Sequence, residues 1–312
     1  MTLLTNLTSN KPPRKPHTET FLSKTIKHDA FSEAYIAIQN CHKTAGFEPK
    51  SMFLVGPSGA GKSTIVKKYV EAFPRNETHE YTHIPVLYIS LDERTTPKDA
   101  LGLLLDAIPD IDSSKGIVRE LRRRLINYIA SCNVELIIID EIHHVLPAHT
   151  SARVQEFADL IKSIMDKTSI PFILVGLPES TRLLHAKSKT DVKDQLFRRS
   201  RRTVEIKPPQ HNTVAWKKLI TGYQRALGSV SCINLSSDEM LARLHLATKG
   251  LNGRVANLLS EALELVNENE TVTLIHFSKA FLEANATFDG NKNPFDLSLK
   301  EVNRYISSGN NS

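Results

Sequence analysis

Five short stretches of the chain are almost uniformly apolar: Met52-Phe53-Leu54-Val55, Val86-Leu87-Tyr88-Ile89, Leu136-Ile137-Ile138-Ile139, Phe172-Ile173-Leu174-Val175 and Thr203-Val204-Glu205-Ile206, the last with one charge. Apolar runs of this length without alternation predict strands buried on both faces. Between them apolar positions recur at helical spacing. They predict helices over 29–44 (apolar side Ala30, Ala34, Ile36 and Ala37), after the first strand to about 73, and over 97–107, 116–131, 151–167 and 191–199. In 116–131 the stripe is Val118, Leu121, Leu125 and Ile129. Strands alternating with helices make a parallel sheet covered on both sides. Pro208-Pro209 ends that pattern, and beyond it only helical periodicity remains, over 214–227, 237–249, 254–267 and 275–286. The second of these opens on a capping serine, Ser237, with Asp238 and Glu239 in its first turn. The fold class is therefore α/β, a five-stranded parallel sheet followed by a small all-helical lid. The expected divisions are a flexible basic arm over 1–28, the α/β core over 29–208, the lid over 209–288 and a tail over 289–312 with a short helix near 298–306.

Composition narrows the class. The 312 residues are 40% hydrophobic and 24% charged, enough to bury a sizeable core, which excludes a disordered chain, a collagen and a disulfide miniprotein. No apolar run approaches the roughly 18 residues needed to cross a bilayer, and the polar stretch 1–16 lacks a signal h-region. Three cysteines, Cys41, Cys132 and Cys232, are odd in number and far apart, which fits reduced thiols in a cytoplasm. The net charge of +6 permits a polyanionic partner without requiring one.

The strongest chemical pattern is Gly56-Pro57-Ser58-Gly59-Ala60-Gly61-Lys62-Ser63-Thr64, directly after the first strand. Glycines let successive backbone N–H groups curl around phosphate oxygens, Lys62 adds a point charge for the β and γ phosphates, and Ser63 offers a hydroxyl to Mg²⁺. The helix that follows turns its positive end to the same anion. Asp140-Glu141 ends the third strand, at the edge where ligands of an open α/β sheet bind. Asp140 suits Mg²⁺, and Glu141 suits the orientation and deprotonation of a water. Together they specify nucleotide hydrolysis. The chain lacks a Leu-Ser-Gly-Gly-Gln stretch and an Asn-Lys-x-Asp stretch, which excludes transporter ATPases and guanine-selective GTPases.

The lid after the fifth strand points to an AAA+ P-loop NTPase. Gly56 to Thr64, Ile139-Asp140-Glu141-Ile142-His143-His144, Leu174-Val175-Gly176-Leu177-Pro178-Glu179 and Gly253-Arg254 resemble the TniB/TnsC family of AAA+ transposition regulators. The resemblance covers about residues 30 to 285. It implies a homo-oligomer, a ring or helical filament, on double-stranded DNA with ATP at each subunit junction. It also implies a DDE transposase and a TniQ-type or other target-selecting protein as partners, and a bacterial nucleoid setting with no membrane. The alternatives are a helicase-loader or origin-recognition-like ATPase, and a nucleotide-binding DNA scaffold with negligible hydrolysis.

Further candidates follow. Segment 187–207 carries eight basic and three acidic residues. AAA+ proteins place there the arginine that reaches a neighbour's γ-phosphate, with Arg198 and Arg199 the first candidates and Arg202 the next; spacing alone does not separate these from Arg201. Arg254, at a helix start where a cation opposes the dipole, matches the second sensor and a phosphate contact. At the first sensor's place stands Leu177, so hydrolysis is expected to be slow unless Ser180 or Thr181 substitutes. Lys115, Arg119, Arg122 and Arg123 fall largely away from the apolar stripe of 116–131, a face suited to DNA phosphates. The resemblance places Lys98 and the Lys115-Gly116-Ile117 turn on DNA-tracking loops. His143, His144 and His149 lack a zinc-helix spacing and read as ordinary helix and loop histidines. Phe295 in the tail is a candidate partner anchor.

Overall fold

The computed structural model describes residues 14–78, 81–108, 110–145, 151–185, 200–267, 269–284 and 292–309. The chain divides into two compact units, Ala30–Lys207 and a second formed by Met1–Asp29 with Pro208–Ser312.

The first unit is built on β1 (Ser51–Val55), β4 (Val86–Ser90), β5 (Leu136–Asp140), β6 (Phe172–Gly176) and β7 (Val204–Glu205), all parallel in the order β4-β5-β6-β1-β7. Successive side chains of a strand point to opposite faces, and each face has its own helices. Phe53, Val55, Leu87, Ile89, Ile137, Ile139, Phe172 and Leu174 pack in one cluster with α4 (Pro97–Asp106), α5 (Val118–Ser131) and α6 (Ser151–Thr168). Met52, Leu54, Val86, Leu136, Ile138, Ile173 and Val175 pack on the other side with α2 (Asp29–His42) and α3 (Lys62–Glu71). Both faces being covered is why the strands show no polar alternation. β2 (Asn76–Glu77) and β3 (Thr82–His83), two residues each, pair antiparallel outside the main sheet.

Two helix faces differ from the sequence expectation. In α2 the buried side is Phe31, Ala34, Ile38 and Cys41, while Ile36 is 54% exposed. In α5, which starts two residues later than expected, Leu121, Leu125 and Ile129 are buried and Val118 is exposed. The expected helix over 191–199 lies outside the described residues.

The helical unit comprises α7 (Val214–Ala226), α8 (Asp238–Thr248), α9 (Asn252–Leu265), α10 (Leu274–Ala284) and α11 (Leu299–Gly309). Thr213 and Ser237 cap α7 and α8 by accepting from Trp216 N and Met240 N. Part of the segment expected to be a flexible arm forms α1 (Pro16–Ser23), docked on this unit. Phe21 joins its core, Lys15 Nζ donates to the Val266 carbonyl at 2.7 Å, and His17 Nε2 bonds the Leu263 carbonyl at 2.9 Å. Phe295, expected to be an exposed anchor, is 5% exposed and stacks on Phe277 with centroids 5.4 Å apart. No helix among the described residues is long and apolar enough to cross a membrane.

A candidate nucleotide site

The glycine-rich loop leaves β1 and turns into α3. Gly59 and Gly61 hold φ of 77° and 95°, the left-handed region where a side chain is strained, and Gly61 is the residue before the helix. Gly56 is needed for a different reason: a Cβ there would lie 2.5 Å from the Ile206 carbonyl oxygen just past β7. Pro57 is partly buried, Ser58 exposed, Ala60 buried in the α2/α3 layer, Ser63 partly buried and Thr64 exposed.

Lys62 is 6% exposed and folds back on the loop, its Nζ donating to the Gly56 and Pro57 carbonyls at 2.9 and 3.0 Å. Burial holds its ammonium below the usual lysine range, against the opposing pull of Glu141, Asp140 and Glu179. Of these carboxylates, Asp140 ends β5, Glu141 follows it, and Glu179 lies in the 3₁₀ helix Pro178–His185 after β6. Asp140 is 1% exposed; its Oδ1 accepts the Glu141 backbone N–H at 2.9 Å and its Oδ2 accepts the Tyr88 hydroxyl at 3.2 Å. Tyr88 is on β4, next to β5, and burial followed by the Asp140 charge pushes its phenol well above the ordinary value.

Glu141 adopts a φ of 56°, uncommon for a residue with a side chain and frequent at functional sites. The 3₁₀ turn Ile142–Val145 follows. His143 Nδ1 lies 3.2 Å from Glu141 Oε2, and the His143 and His144 rings are 4.3 Å apart. Burial, then the neighbouring His144, lowers the His143 pKa against the pull of Glu141 and Glu179. Tyr88 is the site neighbour that sequence reasoning missed, although a phenol inside an otherwise aliphatic strand is a readable signal. His143 and Glu179 stand inside motifs legible in the sequence, His143 read there as an ordinary histidine and Glu179 without a role of its own.

Other candidates are placed as follows. Leu177 is partly buried; Ser180 is fully buried, and Thr181 spends its hydroxyl on the Pro178 carbonyl at 2.9 Å. Arg198 and Arg199, and His149, lie outside the described residues. Arg201 donates to the Asn40 carbonyl at 3.0 Å within its own unit, and Arg202 is exposed. Arg254 is exposed in the first turn of α9. Lys98 is exposed in the first turn of α4, beside the Thr96–Asp99 capping box. Lys115 is exposed and pairs with Asp112 at 2.7 Å. Arg119 and Arg123 are exposed on α5, whereas the partly buried Arg122 donates to Ser163 Oγ on α6 at 3.2 Å. Arg124 braces the loop before α5 through the Asp112 and Lys115 carbonyls at 2.7 and 3.0 Å. Cys41, Cys132 and Cys232 are free, and burial pushes the Cys41 and Cys232 thiols up to about 12, so those two are inert at neutral pH.

The model of the family described as Bacterial TniB protein matches residues 22–199. Comparison with curated protein sequences finds no match. Among solved structures, the Aeropyrum pernix ORC1 protein, solved in complex with DNA, is similar with a TM-score of 0.59 at 14% identity, over 94% of this chain and 86% of that one. Cdc6p from Pyrobaculum aerophilum gives a TM-score of 0.61 at 13% identity, over 88% and 72%. A Walker-type ATPase from Pyrococcus abyssi gives 0.54 at 17%, over 92% and 78%. At these identities the likeness is one of fold, that of the AAA+ P-loop NTPases.

Proposed function

Because the chain belongs to the TniB family, we propose that it is an ATP-hydrolysing AAA+ regulator of transposition that assembles on duplex DNA, marks target sites and hands them to a DDE transposase. One observation carries the ATPase part of the reading. Lys62, in the glycine-rich loop after β1, shares its electrostatic surroundings with Asp140 and Glu141 at the end of β5. The glycine-rich loop and the Asp140–Glu141 pair thus lie at one edge of one sheet, which supports reading them as a triphosphate cradle and a hydrolytic carboxylate.

Mg²⁺ fits the oxygen donors offered there. Ser63 and Asp140 would hold it, since a hydroxyl and a carboxylate suit a hard cation. When bound, the ion neutralises phosphate charge. Loop N–H groups beyond Pro57, up to Thr64, would bind the phosphates, and Lys62 would leave its carbonyl partners for them. Glu141 would take the proton of the attacking water. The Tyr88 hydroxyl fixes the plane of Asp140 for its task.

The remaining roles rest on family resemblance and exposure. Arg198 or Arg199 would reach the phosphates of an adjoining copy, with Arg201 less suited because it is committed to Asn40. Arg254 would be a phosphate contact, as the family resemblance implies. Lys98, Lys115, Arg119 and Arg123 would track the DNA backbone, with Arg122 a lesser contributor because Ser163 holds it. The absence of a polar residue at Leu177, with Ser180 fully buried, supports slow turnover and a long-lived ATP-bound assembly. A TniQ-type selector would supply the target.

The test is imaging and sedimentation of the purified chain with duplex DNA in ATP, ADP or a non-hydrolysable analogue. Assemblies are expected with ATP and the analogue only. Lys62→Ala should abolish them, and Glu141→Gln should trap them in ATP. Nucleotide-independent behaviour, or normal disassembly of Glu141→Gln, would refute the reading. An origin-type loader shares this fold; dependence on a replicative helicase instead of a transposase would select it.

A further inference from the structure

We propose that Glu141, His143 and His144 form a binding site for a divalent transition-metal ion of the Zn²⁺ class, distinct in chemistry from the Mg²⁺ that accompanies ATP, and that this ion silences the hydrolytic carboxylate. Among the described residues this is the single place where three metal-ligating side chains converge, with their donor atoms all within 4.8 Å of one another. In the sequence His143 and His144, taken with His149, show no zinc-helix spacing; the fold supplies Glu141 as the third donor.

The local backbone explains the convergence. The positive φ of Glu141 reverses the chain at the end of β5, and the 3₁₀ turn then presents two successive histidines beside that carboxylate. His143 Nδ1 is buried and makes no hydrogen bond among the described residues, although Glu141 Oε2 is 3.2 Å away. Tetrahedral Zn²⁺, with bonds of about 2.0–2.1 Å, separates neighbouring donors by about 3.3 Å. The Glu141–His143 pair already has that spacing, and the widest separation in the set must close by about 1.5 Å, within reach of a side-chain rotation. Two neutral imidazoles and one carboxylate also form a common donor set for a catalytic-type zinc site with an open fourth position.

The donor type argues for a borderline metal over Mg²⁺, and the surrounding charge favours a second cation of either kind. Imidazole nitrogen suits Zn²⁺, Ni²⁺ or Co²⁺, whereas Mg²⁺ takes oxygen and keeps its waters. Glu179 adds negative charge near both His143 and Lys62, and Asp140 adds it near Lys62, which offsets the repulsion between Lys62 and a second cation. The consequence for hydrolysis rests on Glu141 being the base; metal binding itself does not.

The experiment is titration of the nucleotide-free full chain with Zn²⁺ against a chromogenic chelator, for the unaltered protein and for His143→Ala and His144→Ala. One equivalent is expected, with affinity weakened about tenfold or more in either variant. His144→Ala is the safer variant, since His143 packs in the turn. No stoichiometric binding would overturn the proposal, as would undiminished binding in His144→Ala, which would place the ion on others of the 12 histidines. In a paired assay Zn²⁺ should inhibit phosphate release by the unaltered protein, while His144→Ala should turn over in Zn²⁺-free buffer and resist inhibition. Equal inhibition of both would refute the silencing. Absence of turnover in every sample would fail the ATPase reading alone, because the titration uses no nucleotide.

Discussion

At Gly56 a single missing Cβ sets the register between the phosphate loop and the sheet edge. The Ile206 backbone N–H donates to the Val55 carbonyl at 2.7 Å, which draws the strand end against the loop. A methyl at 56 would meet the Ile206 carbonyl at 2.5 Å, and a backbone oxygen cannot swing aside as a side-chain tip can. Gly56→Ala should therefore destabilise the α/β unit by about 1–3 kcal/mol through forced displacement. It should also weaken binding of an ATP analogue, because the first residue of the loop moves with it. Denaturant midpoints and a binding titration check both, and an unchanged midpoint would mean that the strand end yields freely. By contrast, Lys62 and Asp140 could be read directly from their motifs. Tyr88 could not, because a neighbouring strand brings it in, and Glu179, although inside a legible motif, acts on Lys62 only through the fold.

Among elements, legibility followed the distance of the partner along the chain. The strands of the main sheet declare themselves because each is buried on two faces, so no tertiary knowledge is needed to see them. The α2 face is ambiguous because its alanines fit two stripes; Phe31 and Ile38 decide it by packing on the sheet. Helix α1 is illegible as a docked element, since its partners Glu264, Val266 and Leu263 lie some 250 positions away. The segment before α11 shows the same dependence. Arg243 of α8 is 5% exposed and donates to the Pro294 and Leu297 carbonyls at 2.6 and 2.9 Å, and to Glu239 at 2.7 Å. Arg243→Ala would leave two carbonyls without their charged donor, at a cost of about 2–3 kcal/mol. Limited proteolysis should then cut within 292–309 earlier than in the unaltered chain, with the rest of the helical unit intact. Equal cutting rates would show that Phe295, the Asn293–Ser278 hydrogen bonds and the packing of Leu297 and Val302 on Ala242 hold the segment without Arg243.

For the whole molecule, acid is the condition to which this sequence is most exposed. Five histidines, His28, His42, His143, His211 and His245, have pKa values below the ordinary 6.5, with burial the largest cause in each. His42 shows how this arises: it is 7% exposed, with Nδ1 on the Tyr69 hydroxyl at 2.8 Å, and the Glu135 carboxylate at 3.2 Å opposes the shift without cancelling it. For such a group the unfolded chain binds protons at a higher pH than the folded one does. Stability therefore rises with pH through this range. The contribution is whole above about 6.5 and is lost as pH falls below that value. Carboxylates lowered by hydrogen bonds, such as Asp99 on Thr96 and Glu301 on Ser298, act in a separate window, below their ordinary values of 3.8 and 4.5. Thermal unfolding of the nucleotide-free chain should accordingly show a falling Tm between pH 7.5 and pH 5.5, with net proton uptake on unfolding near pH 6. Because the five histidines lie in both compact units, the fall should appear in every unfolding transition resolved. A Tm independent of pH over that interval would show that the imidazoles reach solvent in the folded protein.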